Sequence, residues 1–163
     1  MLSILVAHSY FLRFDRKQQE RCKPYPPLAT LHVAAMLRRA GHSVAVFDAM
    51  LADGVDEFAV QLAQVAPRVV LFYEDSFNFL SKMCLGRMRE ACQQMIALAR
   101  GAGTRVVVVG SDATDAPEAY LRAGAEVVIQ GEGLVSLFAM VARLDQDPGI
   151  AIEEWIEGQN GVA

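Results

Sequence analysis

Glycine and hydroxyl residues follow two apolar runs in the second half of the chain. Four valines at 106–109 stop at Gly110 and Ser111, and the run Val127–Ile129 leads into a glycine–glutamate–glycine triplet at 131–133. Glycine at the end of a strand lets a ligand touch the backbone, because no side chain blocks the approach. Ligands of open parallel sheets bind at the carboxyl ends of the strands. The pattern therefore favours ligand binding as the chemistry of this stretch.

Two further apolar runs, at 2–7 and 68–72, are also followed by polar residues. We expect the loops after the first, third, fourth and fifth strands to line one mouth at an edge of the sheet. The predicted cofactor-binding residues are His8, Ser9, Tyr10, Tyr73, Glu74, Asp75, Ser76, Gly110, Ser111, Thr114, Gln130, Gly131, Glu132 and Gly133. We predict no catalytic residue and no protein ligand to a metal in this chain.

These residues also have structural interpretations, which the sequence leaves open. Gly110 and Ser111 suit a tight turn in which Ser111 or Asp112 caps a helix, and the triplet at 131–133 suits a turn of the same kind. Glu74 and Asp75 suit solvated acids in a loop.

Other motifs argue against several functions. The chain lacks the phosphate-binding pattern GxxxxGK[ST], and no GxGxxG follows the first strand, so a phosphate-centred nucleotide site is not expected. A triad of Ser111, His8 and Asp75 has no G-x-S-x-G turn to support it, so hydrolase chemistry is not favoured. His32, inside a predicted helix, and His42, just after it, are expected to be structural or exposed.

Composition narrows the classes further. A net charge of −4 gives no electrostatic footprint for nucleic acid or an anionic membrane. The N-terminus lacks the basic region and cleavage site of a signal peptide and is interpreted as the first strand. The three cysteines, Cys22, Cys84 and Cys92, form no CxxC pair and suggest reduced thiols in a cytoplasmic protein.

The elements that position the mouth alternate along the chain. Apolar runs predict strands, and the segments between them predict helices; the strands are 2–7, 43–47, 68–72, 106–109 and 127–129, and the helices are 28–40, 55–65, 81–100, 117–122 and 135–143. This order predicts an α/β, Rossmann-like (flavodoxin-like) fold with an open, mostly parallel five-stranded sheet and helices on both faces.

Details of this prediction concern the ends and the first helix. Residues 8–27 are expected to be irregular. The helix from residue 28 is expected to pack with Leu28, Leu31 and Ala35, and Gly41 to end it. One domain is predicted at 1–148, with 149–163 as a tail or the start of a linker that holds one more strand.

Five stretches resemble the N-terminal cobalamin-binding domain of cobalamin-dependent radical S-adenosylmethionine enzymes. They are YPPLA at 25–29, AAMLRRAGH at 34–42, VAVFD at 44–48, VGSDAT with PE at 109–118, and GAEVVIQGEG at 124–133. Their order and spacing resemble that family over nearly the whole chain.

The resemblance implies that the chain binds cobalamin, with the corrin at the strand carboxyl ends and 73–76 facing its lower side. Gly110, Ser111 and 131–133 would line the pocket for the nucleotide tail. This chain alone is expected to bind without catalysing. The full-length enzyme would add a covalently continuous radical S-adenosylmethionine barrel with a [4Fe-4S] cluster and S-adenosylmethionine, and cobalamin would serve methyl transfer.

Departures from the family pattern leave questions open. The motif D-x-H-x-x-G is absent after the first strand, so His8 is unsupported as a cobalt ligand, and Ser111 replaces the second glycine of the family's GG. The motif C-x-x-x-C-x-x-C is also missing, which leaves an excised domain or a stand-alone carrier.

The alternative function is a flavodoxin-like signalling or interaction module without cofactor. A receiver domain needs an aspartate after the third strand, and Asp75 lies near that position. It also needs an acidic cluster after the first strand, where this chain has His8 and Ser9. The substrate, the lower ligand of cobalt and the oligomeric state stay open.

Overall fold

Five parallel strands form one sheet in the computed structural model, which describes residues 1–22, 24–74 and 84–163. The strands are β1 (Ser3–Ala7), β2 (Ser43–Phe47), β3 (Val69–Tyr73), β4 (Arg105–Val109) and β5 (Val127–Ile129). Their order across the sheet is β2-β1-β3-β4-β5, all neighbours being parallel. This is the flavodoxin-like order of a doubly wound sheet, so the predicted fold class is confirmed.

Helices connect the strands and cover both faces of the sheet. In the described part of the chain they are α1 (Arg16–Arg21), α2 (Leu28–Arg39), α3 (Val55–Val65), α4 (Leu85–Gly101), α5 (Ser111–Asp115), α6 (Pro117–Ala123), α7 (Leu134–Gln146) and α8 (Ile152–Ile156). None of these helices is long and apolar enough to cross a membrane.

Alternate residues of each strand enter two separate cores, as the two-residue period of a strand requires. On one face, Phe72 and Val108 pack with α3 and α4, where Phe58 and Met95 are buried. On the other face, Val109 and its neighbours pack with α2, α7 and α8. Burial on both faces explains why the strands are nearly continuous apolar runs.

Helix α2 ends as the sequence predicts, but it buries a different face. Gly41 has a φ of +93°, its N–H donates to the Arg38 carbonyl, and the next N–H donates to the Leu37 carbonyl, which is a Schellman ending. The buried residues of α2 are Thr30, Val33, Ala34 and Leu37. The prediction that Leu28, Leu31 and Ala35 form the packed face is wrong, since all three are exposed. Apolar residues lie on most sides of this helix, so its periodicity does not single out one face.

The prediction that residues 8–27 are irregular is also wrong in part. A short 3₁₀ helix, Leu12–Phe14, precedes α1. Asp15 caps α1, because its Oδ1 accepts the Gln18 N–H at 3.1 Å, and its Oδ2 accepts the Tyr10 hydroxyl at 2.8 Å. Such a short, polar helix shows no apolar period that a sequence pattern can detect.

Residues 150–163 pack along β5 and α7. The predicted strand in this tail is replaced by α8, whose Trp155 is fully buried and donates its Nε1–H to the Met140 carbonyl at 2.8 Å. The guanidinium carbon of Arg105 lies 4.1 Å from the centroid of the Trp155 ring, a cation–π contact. Val128 and Ala163 then exchange two backbone hydrogen bonds of 2.8 and 2.9 Å, so the tail covers the edge of β5. The division at residue 148 stays a prediction.

Replacing Trp155 tests whether the tail contributes to the stability of the fold. Trp155→Ala should lower the free energy of unfolding by about 3–5 kcal/mol, because it leaves a large cavity and removes the indole hydrogen bond to the Met140 carbonyl. Urea unfolding followed by far-ultraviolet circular dichroism measures the change. Val135→Ala, at a side chain 86% exposed, is the control and should stay within about 0.5 kcal/mol. Equal stability of the Trp155 variant and the wild type would show that the tail is not held to the domain.

Candidate ligand-binding site

A cleft of about 550 Å³ opens at the carboxyl ends of β3, β4 and β5, on the face that α2 and α7 cover. Its size is typical of small-molecule sites. Its lining residues are Ala29, His32, Val33, Met36, Tyr73, Glu74, Val109, Gly110, Ser111, Thr114, Asp115, Gly131, Glu132 and Leu134. The cleft therefore lies at the sheet edge where the sequence predicts a mouth.

The structure brings together half of the predicted site residues. Those that line the cleft are Tyr73, Glu74, Gly110, Ser111, Thr114, Gly131 and Glu132. Gln130 and Gly133 flank the lining loop without lining the cleft. His8, Ser9 and Tyr10 are buried below the surface and do not line it. Asp75 and Ser76 lie outside the described residues. The structure therefore does not test a role of Asp75 in a signalling module or in a hydrolase triad.

The wall contributed by α2 is missing from the predicted set. Ala29, His32, Val33 and Met36 recur at the spacing of one helix face, so they stand side by side along the cleft. The i, i+3, i+4, i+7 spacing of these residues is present in the sequence, but apolar residues on the other sides of the helix keep it from singling out this face.

Two glycines bring the loops of the cleft into close contact. A Cβ atom on Gly110 would lie 2.7 Å from the Cβ of Glu74, and one on Gly133 would lie 2.5 Å from Cγ2 of Ile129. Gly133 also has a φ of +62°, a left-handed conformation that favours glycine. A side chain at Gly110 would push the loops after β3 and β4 apart, and one at Gly133 would clash with the end of β5.

Tyr73 joins three walls of the cleft. Its hydroxyl donates to the Glu132 carbonyl at 2.8 Å, and its own carbonyl accepts the Thr30 hydroxyl of α2 at 2.7 Å. Burial raises the pKa of the Tyr73 hydroxyl, and the nearby Glu132 carboxylate raises it further. The hydroxyl therefore stays protonated near neutral pH and keeps its role as a donor.

Thr114 joins the loops after β4 and β5. Its hydroxyl donates to the Gly110 carbonyl at 2.8 Å and accepts the Gly131 N–H at 2.9 Å. One hydroxyl can do both because it has a donor and two lone pairs. The Gly131 N–H is thus already paired within the protein.

Glu74 lies at the end of β3 with its carboxyl group turned into the core below the cleft. Its Oε2 accepts the Ser9 N–H at 3.1 Å, whereas its Oε1 is enclosed and has no hydrogen-bond partner among the described residues. Burial raises the pKa of this carboxyl, although His8 and the Ser9 N–H act in the opposite direction. Burial and Glu74 together raise the pKa of the neighbouring Cys92 thiol.

His8 uses both ring nitrogens inside the protein. Nε2 lies 2.9 Å from Oδ1 of Asp48, and Nδ1 accepts the Tyr10 N–H at 3.3 Å. The second contact requires an unprotonated Nδ1, so Nε2 carries the proton and donates to Asp48. Neither nitrogen can bind a metal without breaking one of these contacts.

Asp112 fixes α5 beside the cleft. Its carboxylate accepts two bonds from the Arg89 guanidinium, at 2.7 and 2.5 Å, and a third from the Tyr120 hydroxyl at 2.6 Å. Burial alone would raise the pKa of Asp112, but the bonds from Arg89 and Tyr120 outweigh it and lower the pKa. This residue therefore holds α4, α5 and α6 together instead of capping α5.

The described residues include no group of three or more His, Cys, Asp or Glu side chains that could hold a metal ion. The lining instead combines small residues, an apolar helix face and a few polar side chains. Such a surface suits a large organic ligand with flat and amide-bearing parts.

Comparisons with known proteins point to one family. The sequence profile of the B12 binding domain matches residues 22–139, more than two thirds of the chain. No curated protein matches the chain in sequence.

Eleven chains of solved structures match. One is the structure of the cobalamin-dependent S-adenosylmethionine radical enzyme OxsB with aqua-cobalamin and S-adenosylmethionine bound, at a TM-score of 0.62 and 12% sequence identity. The match covers 99% of this chain and 20% of that enzyme's chain, so the chain spans about a fifth of its length. At this identity the likeness shows the fold alone.

Gly110→Ala tests the close contact between the loops. The new methyl group would press on the Glu74 side chain, so we expect a loss of about 1–3 kcal/mol in the free energy of unfolding, measured with urea. Gly101→Ala is the matched control: it lies at the end of α4 with nothing within 4 Å of its Cβ position, and its stability should be equal or slightly higher. Equal stability of Gly110→Ala and the wild type would refute the contact.

Glu74→Gln tests the buried carboxyl through its pH dependence. Because folding raises the pKa of Glu74 above 4.5, its stabilising contribution is complete below about pH 4.5 and is lost as the pH rises through the folded value. The glutamine amide oxygen still accepts the Ser9 N–H but does not ionise. The stability of wild type minus that of the variant, from urea unfolding between pH 4.5 and 8, should therefore fall as the pH rises. A difference that does not change with pH would contradict the burial of this group.

Proposed function

Since the chain belongs to the B12 binding domain family, we propose that its cofactor site is the cleft between α2 and α7, with the nucleotide tail of cobalamin inside it and the corrin over the strand carboxyl ends. The observation that carries this placement is that the cleft occupies the edge of the sheet where doubly wound folds bind ligands. Residues 22–139, which match the family, include every lining residue.

The shape of the cleft fits the tail of cobalamin, which ends in a flat benzimidazole base. Ala29, Val33 and Met36 offer an apolar wall for one side of such a base. The opposite side is backbone, because Gly110 and Gly131 carry no side chain that would occupy the space. Half-open clefts with one apolar wall and a few polar groups are common cofactor sites.

We propose that the loops above the cleft orient the corrin. Tyr73 to Ser76 would face its lower side, and Ser111, Thr114 and Gln130 to Gly133 would surround the point where the tail enters. What supports this is the pinned geometry of Tyr73 and Thr114, which holds the loop carbonyls in fixed positions. We propose an indirect role for the buried residues His8, Ser9 and Tyr10: they would support the loops from inside the protein without touching the corrin.

His8 is proposed not to ligate cobalt. Its support is the pairing of both ring nitrogens with Asp48 and Tyr10. Cobalt would then have no histidine ligand from this position, or would be bound by water.

For the whole protein we propose a radical S-adenosylmethionine enzyme in which this chain is the cofactor-binding domain. A [4Fe-4S] cluster and S-adenosylmethionine would lie in a covalently continuous barrel. Bound cobalamin would supply a cobalt centre that can carry a methyl group, so methyl transfer is the proposed reaction. The support is the fold shared with OxsB over 99% of this chain. A cytoplasmic location is proposed as well, in keeping with three free cysteines.

Cobalamin binding can be measured directly on this chain. After incubation with excess hydroxocobalamin and desalting, corrin absorbance should co-elute with the protein at about one equivalent, as expected of one cleft. Ala29→Trp should abolish co-elution, because the indole would fill part of the cleft that Ala29 lines. Val60→Trp, at a side chain 58% exposed on α3, is the matched control and should bind as the wild type does.

Two results would count against the proposal in different ways. Absence of corrin absorbance with folded wild-type protein would reject cobalamin as the ligand. Full binding by Ala29→Trp would keep the ligand but move its tail out of this cleft.

A further inference from the structure

One basic side chain lies on the α2 wall of the cleft. His32 is exposed on α2, between Ala29 and Met36 of the same wall. Among the lining residues that the structure describes, it is the only one that can carry a positive charge. It makes no hydrogen bond or ion pair with any described residue.

The other polar groups of the cleft are already engaged or negatively charged. The hydroxyls of Tyr73 and Thr114 donate to backbone carbonyls, and the Gly131 N–H is taken by Thr114. Asp115 and Glu132 contribute carboxylates, which repel an anion. His32 is therefore the only lining side chain among the described residues that can offer an anion both a donor and a positive charge.

The nucleotide tail of cobalamin contains such a group, a phosphodiester that is ionised at all ordinary pH values. Moving an anion out of water costs free energy unless a hydrogen-bond donor or a cation pairs with it. Hydrogen bonds between a charged partner and an imidazole are short and strong, and a protonated imidazole adds an ion pair.

The position of His32 is fixed well enough to select a ligand. Helix α2 is anchored on either side of it by the Thr30 hydroxyl bond to the Tyr73 carbonyl and by buried Val33. One helical turn separates His32 from Ala29 and from Met36, so the imidazole stands at mid-length of the wall. The wall therefore presents an apolar surface with one donor at its centre.

We propose that His32 binds the phosphodiester of the cobalamin tail and makes the domain prefer cobalamin to corrinoids that lack the nucleotide. This inference rests on the proposed function, because it assumes that the tail enters the cleft. It gives His32 a role in ligand specificity, whereas the sequence predicts only a structural or exposed histidine within a helix.

Equilibrium dialysis with two ligands tests the proposal: hydroxocobalamin, and aquacobinamide, which has the corrin but no nucleotide or phosphodiester. His32→Ala should weaken cobalamin binding about tenfold or more, the worth of one hydrogen bond to a charged group, and change cobinamide binding by no more than about twofold. Alanine favours the helix, so the variant should fold.

Arg39→Ala is the matched control. Arg39 is an exposed cation in the last turn of the same helix and does not line the cleft. Its removal changes the net charge of the protein without touching the site. Both ligands should bind this variant within about twofold of the wild type, because exposed charges contribute little.

Three outcomes would overturn the inference. An unchanged affinity for cobalamin in His32→Ala would show that His32 makes no contact with the tail. Equal losses for cobalamin and cobinamide would show a general effect on the cleft. Wild-type protein that binds neither ligand would reject the proposed function itself, and the inference with it, while wild-type binding with no selective loss rejects the inference alone.

Discussion

The close approach of the loops after β3 and β4 is the contact on which the cleft depends. Gly110 has no side chain, and its Cβ position would lie within 2.7 Å of the Glu74 side chain. The Glu74 N–H accordingly reaches the Val109 carbonyl at 2.9 Å, which extends the pairing of β3 and β4 by one step. The loops after β3 and β4 therefore leave no space between them. The cleft lies beside them, on the face of the sheet that α2 and α7 cover.

This packing has an energetic consequence in the core. Glu74 fills the space below Gly110 and places a carboxyl group where one oxygen, Oε1, has no partner among the described residues. A buried and incompletely paired acid is unfavourable for stability. It persists here next to a candidate binding site, which is where proteins commonly tolerate such groups. The Ser9 N–H, which Glu74 accepts, links that site to the end of β1.

Most of the fold could be predicted from the sequence, because the apolar runs and the helix-ending residues all indicate the same alternation of strands and helices. The runs at 43–47 and 127–129 form β2 and β5 as predicted, and Gly41 ends α2 as predicted. Site residues on strand ends were predictable for the same reason. The α2 wall with His32 was not, because a helix that is apolar on most sides does not reveal which side meets a ligand. Helix α8 was missed because it has only five residues, and its one buried side chain, Trp155, is held by residues that are distant in sequence, among them Arg105 and Met140.

A crystal structure of this chain with hydroxocobalamin is the most direct test of the proposed binding site. We expect density for the nucleotide tail between α2 and α7, with Gly110 and Gly131 on one side and Ala29 and Val33 on the other. Density for the tail at the opposite end of the sheet, for example in a cleft lined by Thr104 and Pro148, would contradict the proposed site.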